Sequence, residues 1–220
     1  MDIEKFSIII FESLKENETK TGFNLYETLR YYNYEENSIW ENEYINVSNK
    51  KELLDNLFNL YKRAVVEKKF FILHFEVHGN ENGIKLNNDE FICWNTIIPY
   101  FRSLNVLYQN NLTIHLAICK GISLLKYTSN IERAPFGLVF GSFKDISEDD
   151  IIKTFDRFYS KLKENISPKE AIELIQHTDD SNLFSYITSN HILKLFLEIE
   201  KDKGYSNTID EDYFLMNDLS

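Results

Sequence analysis

Two long apolar segments constrain the fold of this chain more than any other feature of its sequence. Residues 70–78 have the sequence FFILHFEVH and residues 112–119 have the sequence LTIHLAIC. Both are almost uninterrupted in apolar and β-branched side chains until they reach one reactive residue. Strands that are buried on both faces of a parallel sheet have this composition. The sequence therefore predicts an α/β fold in which both segments are central, parallel strands.

The stretch between these two strands has the length and pattern of a crossover connection. A short hairpin is predicted around Asn87 and Asn88, followed by a helix from about Asn95 to Tyr108. A right-handed crossover makes the two strands parallel and brings their carboxyl ends to one edge of the sheet. His78 and Cys119, which end the two strands, are therefore predicted to be neighbours.

Other segments supply the remaining elements of a layered domain over residues 1–220. The helix signals are apolar residues at i, i+4 spacing and capping pairs of a hydroxyl or amide side chain with an acidic residue three positions later. The predicted strands are 6–12, an edge strand at 39–47, 136–142 and a strand in the segment FSYIT at 184–188. The first predicted helix contains Leu25 and Leu29, and the second begins with the capping pair Asn49 and Glu52 and ends near Lys69. A third covers 122–129, and a fourth begins with the pair Ser147 and Asp150. The last two begin at about Lys169 after Ser167 and cover 190–202.

Composition narrows the class of protein. The chain has 24 basic and 35 acidic residues and a net charge of −11, which argues against nucleic acid or an anionic membrane surface as a partner. The apolar segment FSIIIFES near the N-terminus is too short to span a membrane. With two cysteines and no secretory signal, we expect a reducing, cytoplasmic location. Cys93, between Ile92 and Trp94, is predicted to pack in the core.

The two reactive strand ends suit the chemistry of a cysteine hydrolase. A thiolate is a strong nucleophile, and imidazole exchanges protons near neutral pH. Gly121 permits a sharp turn after Cys119 into a helix, whose N-terminus favours the thiolate. Each residue alone has a simpler explanation, His78 as an exposed turn residue and Cys119 as a small buried side chain. Together, at neighbouring strand ends, they favour a catalytic dyad.

A metal site is the alternative use of the same strand. His74, Glu76 and His78 lie on one face because the side-chain period of a strand is two, and such ligands can bind zinc. At ~3.3 Å per residue, however, His74 and His78 lie about 13 Å apart, which is too far for one coordination shell. The sequence therefore predicts no metal and no cofactor. Glu76 has two open interpretations, a satisfied interior acid or a part of the substrate pocket.

These residues resemble a known family. The segments HFEVHG, NGIKL leading through an acidic hairpin to Trp94, and AICKG are similar to the caspase-like cysteine peptidases, and most of all to their bacterial CHAT-type branch. The likeness covers residues 70–176, including FGLVFGSFKDISEDDIIKTFDRFYSKLKENISPKEAIELI. Cys-Lys-Gly stands where caspases have Cys-Arg-Gly, and Ala117 and Ile118 replace the usual Gln and Ala.

The resemblance implies a caspase-like three-layer sandwich of about six mostly parallel strands flanked by helices. It implies a cysteine endopeptidase with Cys119 as nucleophile and His78 as general base and acid. The backbone N–H groups of Gly79 and Cys119 would form the oxyanion hole, where a side chain at position 79 would crowd the substrate carbonyl. Asp145 or Glu76 would orient His78, although this third role is optional.

Specificity and regulation follow from the same comparison. The substrate-binding candidates are Glu76 and the segment Ser142, Phe143, Lys144 and Asp145, in which a lysine occupies the place of one caspase arginine. Aspartate specificity is therefore unsupported, and Glu76 with the acidic surface suits a basic side chain better. The resemblance implies a protein substrate and an effector of bacterial defence or programmed death. A regulatory partner protein or a small-molecule activator would order the loops 120–135 and 143–149. The alternative is an inactive caspase-like binding or scaffold module.

Overall fold

The computed structural model describes residues 6–36, 40–129, 131–164, 166–176 and 183–203. The strands are β1 (Phe6–Ser13), β2 (Trp40–Asn46), β3 (Phe70–Asn80), β4 (Gly83–Lys85), β5 (Phe91–Cys93), β6 (Thr113–Ala117), β7 (Leu138–Gly141) and β8 (Ser185–Thr188). The helices are α1 (Thr21–Glu36), α2 (Lys50–Glu67), α3 (Trp94–Leu107), α4 (Glu148–Leu162), α5 (Pro168–Gln176) and α6 (Ser189–Lys203). A 3₁₀ helix (Gly121–Tyr127) lies between β6 and β7.

Parallel strands form the body of the central sheet. Its order within the described residues is β2-β1-β3-β6-β7-β8, and β8 is antiparallel to β7. The strands β4 and β5 form a hairpin that pairs with the end of β3. Crossover connections through helices produce this arrangement, because parallel neighbours cannot be joined by tight turns. The predicted α/β fold with a mostly parallel sheet flanked by helices is confirmed.

The two faces of the sheet carry separate cores. Phe75 of β3 belongs to the core under α2, α3 and α6, whereas Ile72 belongs to the core under α1, α4 and α5. Successive side chains of a strand point to opposite faces. His74, Glu76 and His78 therefore lie on the same face as Ile72, the face that α1 and α4 cover. Helices on both sides of one sheet make three layers.

Side-chain caps begin three helices where the sequence predicts them. The Asn49 Oδ1 atom accepts a hydrogen bond from the Glu52 N–H at 2.9 Å at the start of α2. The Ser147 Oγ atom accepts one from the Asp150 N–H at 3.2 Å, and the pair forms a complete capping box before α4. Ser167 caps α5 in the same way. Caps are local interactions, which is why the sequence alone predicts them.

The other predicted elements are present with small shifts in their ends. The strands predicted at 6–12, 39–47, 70–78, 136–142 and 184–188 correspond to β1, β2, β3, β7 and β8, and residue 39 lies outside the described residues. The helix predicted at 190–202 is α6.

The end of β6 differs from the prediction. The strand stops at Ala117, so Cys119 lies in the turn that follows rather than at the last position of the strand. Lys120 adopts a left-handed conformation with φ of 55°, which turns the chain into a 3₁₀ helix instead of the predicted α-helix at 122–129. The residues from Gly121 to Leu125 are buried. This part of the predicted polar loop 120–135 is therefore integrated into the core.

Candidate active site

Strand register aligns the two residues that the sequence paired. In the parallel ladder between β3 and β6, Glu76 is the partner of Ala117. Two residues after this pair, His78 lies in the part of β3 that pairs with β4, and Cys119 lies in the turn that follows β6. Both residues therefore lie at the carboxyl edge of the parallel ladder, which is the edge where active sites of α/β proteins form.

His78 is exposed and bound to an acidic residue that the sequence analysis missed. Its Nε2 atom lies 2.8 Å from Oε1 of Glu18, in the loop between β1 and α1. The Lys15 N–H donates to the other carboxylate oxygen at 2.6 Å, which holds Glu18 in position. Burial opposes the charge on Glu18, but the hydrogen bonds from Lys15 and His78 lower its pKa below the ordinary value.

The contact corrects the predicted orientation of His78. Neither Asp145 nor Glu76 holds the imidazole, since its carboxylate partner is Glu18. Glu18 lies in a polar loop with no periodic pattern, so no local signal in the sequence could have identified it. A carboxylate against one ring nitrogen holds the ring and stabilises the imidazolium form.

Cys119 is half-buried beside the loop that precedes α4. Its sulfur accepts a hydrogen bond from the Ile146 N–H at 3.5 Å and lies 3.6 Å from the Ile146 carbonyl oxygen. In the described part of the chain, no hydrogen bond joins this sulfur to His78. A proton transfer between them therefore requires the imidazole or the thiol to rotate toward the other.

Backbone hydrogen bonds stabilise the turn after Cys119. The N–H groups of Lys120 and Ile122 donate to the carbonyls of Lys144 at 2.9 Å and Ser142 at 3.1 Å, and the Gly121 N–H donates back within the turn. Because these three donors are engaged within the protein, they are not available to a substrate. The N–H of Cys119 itself remains the candidate donor of this turn for an oxyanion.

The packing of the chain itself requires a glycine at position 79, whatever its role toward a substrate. A Cβ atom at this position would lie 2.4 Å from Cγ2 of Ile118 and 2.8 Å from the carbonyl oxygen of Gly83. Both distances are far below van der Waals contact. The close approach of β4 and the segment after β6 therefore excludes a side chain here, before any substrate is considered.

The predicted substrate segment after β7 contains both buried and exposed side chains. Ser142 is completely buried, and its Oγ accepts a hydrogen bond from the Lys144 N–H at 2.9 Å. Phe143 packs partly against the core. Lys144 and Asp145 are exposed. Lys144 and Asp145 are thus the most accessible side chains of this segment, Phe143 is half-buried, and Ser142 shapes the loop from inside.

Glu76 is a buried acid whose two oxygens are both hydrogen-bonded. Thr21 Oγ1 donates to Oε2 at 2.8 Å, and Nε2 of His74 lies 2.9 Å from Oε1. Beside it, in register on β1, the buried Glu12 accepts hydrogen bonds from the N–H groups at the start of α1, among them that of Gly22 at 2.8 Å. The N-terminus of α1 thus compensates two adjacent buried carboxylates.

A chain of buried hydrogen bonds continues from Glu76 into the core. Tyr159 OH lies 3.2 Å from Nδ1 of His74 and 2.9 Å from Nδ1 of His115. With Glu76 as carboxylate, Nε2 of His74 carries a proton, Tyr159 donates to His74, and His115 donates to Tyr159. The Nε2 atom of His115 is then a bare acceptor, and it is buried without a hydrogen-bond partner.

Burial determines the charge states of the side chains in this hydrogen-bond network. Burial, reinforced by the proximity of His74, holds the pKa of His115 well below its usual range. Burial and the nearby charge of Glu76 raise the pKa of Tyr159 well above its usual range. Both side chains are therefore neutral at physiological pH. Within the described residues no group of three or more His, Cys, Asp or Glu side chains converges as a metal site.

The prediction that Cys93 packs in the core is wrong. The side chains of β5 alternate, so that Ile92 is buried and Cys93 is exposed. The residue is also the N-cap of α3, and its sulfur lies 3.4 Å from Oγ1 of Thr96. The hydrogen bond with Thr96 lowers the pKa of the Cys93 thiol below its ordinary value. A local apolar neighbourhood in sequence did not predict burial, because the strand is a hairpin edge.

Comparison with known proteins assigns no family. No protein-family model and no curated protein matches the chain. No helix among the described residues is both long enough and apolar enough to cross a bilayer. The chemistry of the carboxyl edge is therefore the basis for a functional proposal.

Proposed function

We propose that this protein is a caspase-like cysteine endopeptidase of the bacterial CHAT type, with Cys119 as nucleophile and His78 as general base and acid. The observation that carries the proposal is the register of β3 and β6, in which Glu76 pairs with Ala117. His78 and Cys119, each two residues beyond this pair, therefore follow it toward the same edge of the sheet. The mostly parallel sheet between two helix layers is consistent with the fold that the sequence resemblance implies.

The proposed reaction is acyl transfer through a thioester. The imidazole of His78 takes the proton of Cys119, and the thiolate attacks the peptide carbonyl carbon. The N–H groups of Cys119 and Gly79 would stabilise the resulting oxyanion. The imidazolium returns its proton to the departing amine, and the ring then deprotonates the water that hydrolyses the thioester. No cofactor is needed.

Glu18 has a defined part in this scheme. Because its carboxylate faces Nε2 of His78, the nitrogen left to exchange protons with Cys119 is Nδ1. A carboxylate in this position favours the correct tautomer and stabilises the positive charge that forms on the ring. We therefore assign Glu18 as a positioning residue.

In the cell, the protein would cleave a protein substrate in the cytoplasm as a regulated effector of bacterial defence or programmed death. A partner protein or a small-molecule signal would control it by ordering the loops beside the site. This part of the proposal follows from the sequence resemblance.

One observation favours a second candidate, an inactive binding module with the same fold. The sulfur of Cys119 accepts the Ile146 N–H, and His78 is bound to Glu18 rather than to the sulfur. A module that only holds a partner needs no contact between thiol and imidazole. The two candidates differ in the reactivity of Cys119.

Labelling with iodoacetamide at mildly acidic pH separates these candidates. Because Cys93 is exposed and its pKa is lowered, the experiment uses a Cys93→Ser background. A peptidase predicts that Cys119 reacts faster than a free cysteine and that His78→Ala slows the reaction. Slow labelling at the same rate with and without His78 would support the binding module.

Cleavage itself is tested on a mixture of proteome-derived peptides, with new termini identified by mass spectrometry. We expect the Cys93→Ser protein to cleave and both Cys119→Ala and His78→Ala to lose activity together, because members of one catalytic unit fail together. The assay is run with and without the proteins encoded by neighbouring genes. Equal cleavage by Cys119→Ala would refute the proposal.

A further inference from the structure

A buried hydrogen-bond network joins the first turn of α1 to the centre of the core. It consists of Glu76, His74, Tyr159 and His115, and Thr21 Oγ1 donates to its Glu76 end at 2.8 Å. Its three hydrogen bonds are 2.9 Å, 3.2 Å and 2.9 Å long, and all its side chains are buried. Each of these side chains can exchange a proton, yet the proposed reaction uses none of them. We call this group the Glu76 network.

The charge of Glu76 fixes the direction of these hydrogen bonds. A carboxylate only accepts, so Nε2 of His74 carries a proton and donates to it. Tyr159 then donates to Nδ1 of His74, and Nδ1 of His115 donates to Tyr159. Each ring and the phenol hold one exchangeable proton. In this arrangement Nε2 of His115 is a bare acceptor, and it has no hydrogen-bond partner among the described residues.

One additional proton reverses every bond of the Glu76 network. A protonated Glu76 donates to Nε2 of His74, so the ring proton of His74 lies on Nδ1 and is donated to Tyr159. If the proton is on His74 instead, Nδ1 donates to Tyr159 in the same way. Tyr159 then donates to Nδ1 of His115, whose own proton lies on Nε2. The net change is one proton taken from water, and the ring proton of His115 exchanges with water when the core opens transiently.

The surroundings give the two ends of the network different access to protons. A cavity of about 130 Å³ between α1 and α4 is lined by Glu76, Thr21 and the exposed Asp156, and it is polar and large enough for water. Burial, reinforced by the proximity of His74, holds the pKa of His115 well below its usual range. Aromatic rings surround His115 at centroid distances of 4.5 to 6.1 Å, those of Phe140, Phe155 and Phe158. The added proton therefore belongs to the Glu76 end.

A second buried carboxylate makes this proton matter to α1. Glu12 of β1 is the partner of Glu76 in the strand register, and its Oε1 atom accepts the N–H groups of Gly22 at 2.8 Å and Phe23 at 3.2 Å. Its Oε2 atom accepts the hydroxyl of Tyr44 on β2 at 2.6 Å. With Glu76 ionised, two adjacent negative charges face the positive end of the α1 dipole. Uptake of a proton leaves a net charge of one.

We propose that the Glu76 network is a pH-sensitive switch, in which uptake of one proton at its Glu76 end reverses its hydrogen bonds and loosens the first turn of α1. The loop that precedes this turn carries Glu18, the partner of His78. The switch therefore acts on the element beside the candidate active site. It requires no peptidase activity, because all of its contacts lie within the protein.

Long-range ¹⁵N NMR of the unmodified protein tests the reversal, because it shows which ring nitrogen of a histidine carries a proton. The pH is lowered from about 8.5 to about 4.5, across the range in which histidine and buried carboxyl groups titrate. We expect His115 to change from the Nδ1–H to the Nε2–H form without becoming an imidazolium. The signals of His74 should change with the same midpoint. An imidazolium at His115, different midpoints for the two rings, or a single form of His115 at every pH would overturn the switch.

Amide hydrogen exchange measures the effect on α1. After correction for the intrinsic exchange rate at each pH, the protection of the Gly22 and Phe23 N–H groups should fall about threefold to tenfold with the midpoint of His115. The matched control is the Glu52 N–H at the start of α2, which the neutral side chain of Asn49 caps and which should keep its protection. Unchanged protection in α1, or an equal loss at both helices, would overturn the link to α1.

Tyr159→Phe removes the hydroxyl that joins the two rings. The form of His115 should then no longer follow the titration of His74, whereas Tyr127→Phe, which removes an exposed hydroxyl, should keep the common midpoint. A common midpoint in Tyr159→Phe would overturn the role of this hydroxyl as the link. If Tyr159→Phe does not fold, the titration of the unmodified protein still decides between the two outcomes.

Discussion

The carboxylate of Glu18 lies 2.8 Å from the imidazole of His78, although 60 residues separate the two in the chain. The loop after β1 and the end of β3 meet because the two strands are parallel neighbours in the sheet. This contact connects the candidate general base to a fixed negative charge.

Replacing Glu18 by Gln should therefore slow peptide cleavage by about 10-fold to 100-fold without unfolding the protein. The loss should appear in kcat, because the role assigned to Glu18 is to hold the general base. The matched control is Glu16→Gln, an exposed acid in the same loop, which should retain the original rate. An unchanged kcat in Glu18→Gln would remove Glu18 from the site.

Tyr159→Phe should destabilise the protein by about 2–4 kcal/mol. The substitution removes the hydroxyl that lies between His74 and His115 and leaves two buried ring nitrogens without a partner. Urea unfolding measures the change in the free energy of unfolding. Tyr127→Phe removes an exposed hydroxyl bound to Asn82 at 3.0 Å and should cost much less. Equal losses in the two variants would show that the buried hydrogen bonds of Tyr159 do not contribute to stability.

His115 should make the fold less stable as the pH falls. Its pKa is depressed in the folded protein, whereas in the unfolded chain it is about 6.5. Below that pH the unfolded chain binds a proton that the folded protein does not. The contribution of His115 to the free energy of unfolding therefore falls by about 1.4 kcal/mol per pH unit until the pKa of the folded protein is reached.

The measurement is urea unfolding at several pH values between 7.5 and 5, comparing the unmodified protein with His115→Phe. The variant should be less stable at neutral pH, because Tyr159 loses its partner, but its stability should decline less steeply on acidification. Parallel curves for the two proteins would assign the acid sensitivity to other groups.

Gly79→Ala should destabilise the fold by about 1–3 kcal/mol or more, because the new methyl group overlaps Ile118 and the backbone of Gly83. Gly141→Ala should destabilise the fold less, because a Cβ atom at that position would lie 3.1 Å from its nearest neighbouring atoms. Because Ile118 is itself buried, Gly79→Ala combined with Ile118→Ala should cost less than the sum of the two single losses, since one overlap is relieved and the overlap with the Gly83 carbonyl remains. Thermal unfolding of the unmodified protein and of these variants, Ile118→Ala alone included, measures these differences. Full stability of Gly79→Ala would mean that β4 can move away from β3.

Local patterns in the sequence were sufficient for the main elements of the fold. The apolar run of β3 indicated a strand buried on both faces, and the Ser147 and Asp150 pair indicated the start of α4. Strand periodicity and helix caps depend on residues within a few positions of each other, so their physics can be evaluated without the tertiary structure. The alignment of Glu76 with Ala117, which places His78 and Cys119 toward one edge, was also predictable, because parallel strands end at one edge.

Only the tertiary structure decided the contacts that surround this pair. It brought Glu18 to His78, exposed Cys93 at the edge of a hairpin, and left a cavity beside Glu76 between two helices. Each of these features depends on how distant elements pack and on which strand lies at an edge. No periodic pattern in the sequence encodes such distances. By itself, the sequence determined a mostly parallel α/β sheet with two reactive residues toward its carboxyl edge, because periodicity is local. Packing between distant segments determined the surroundings of these residues.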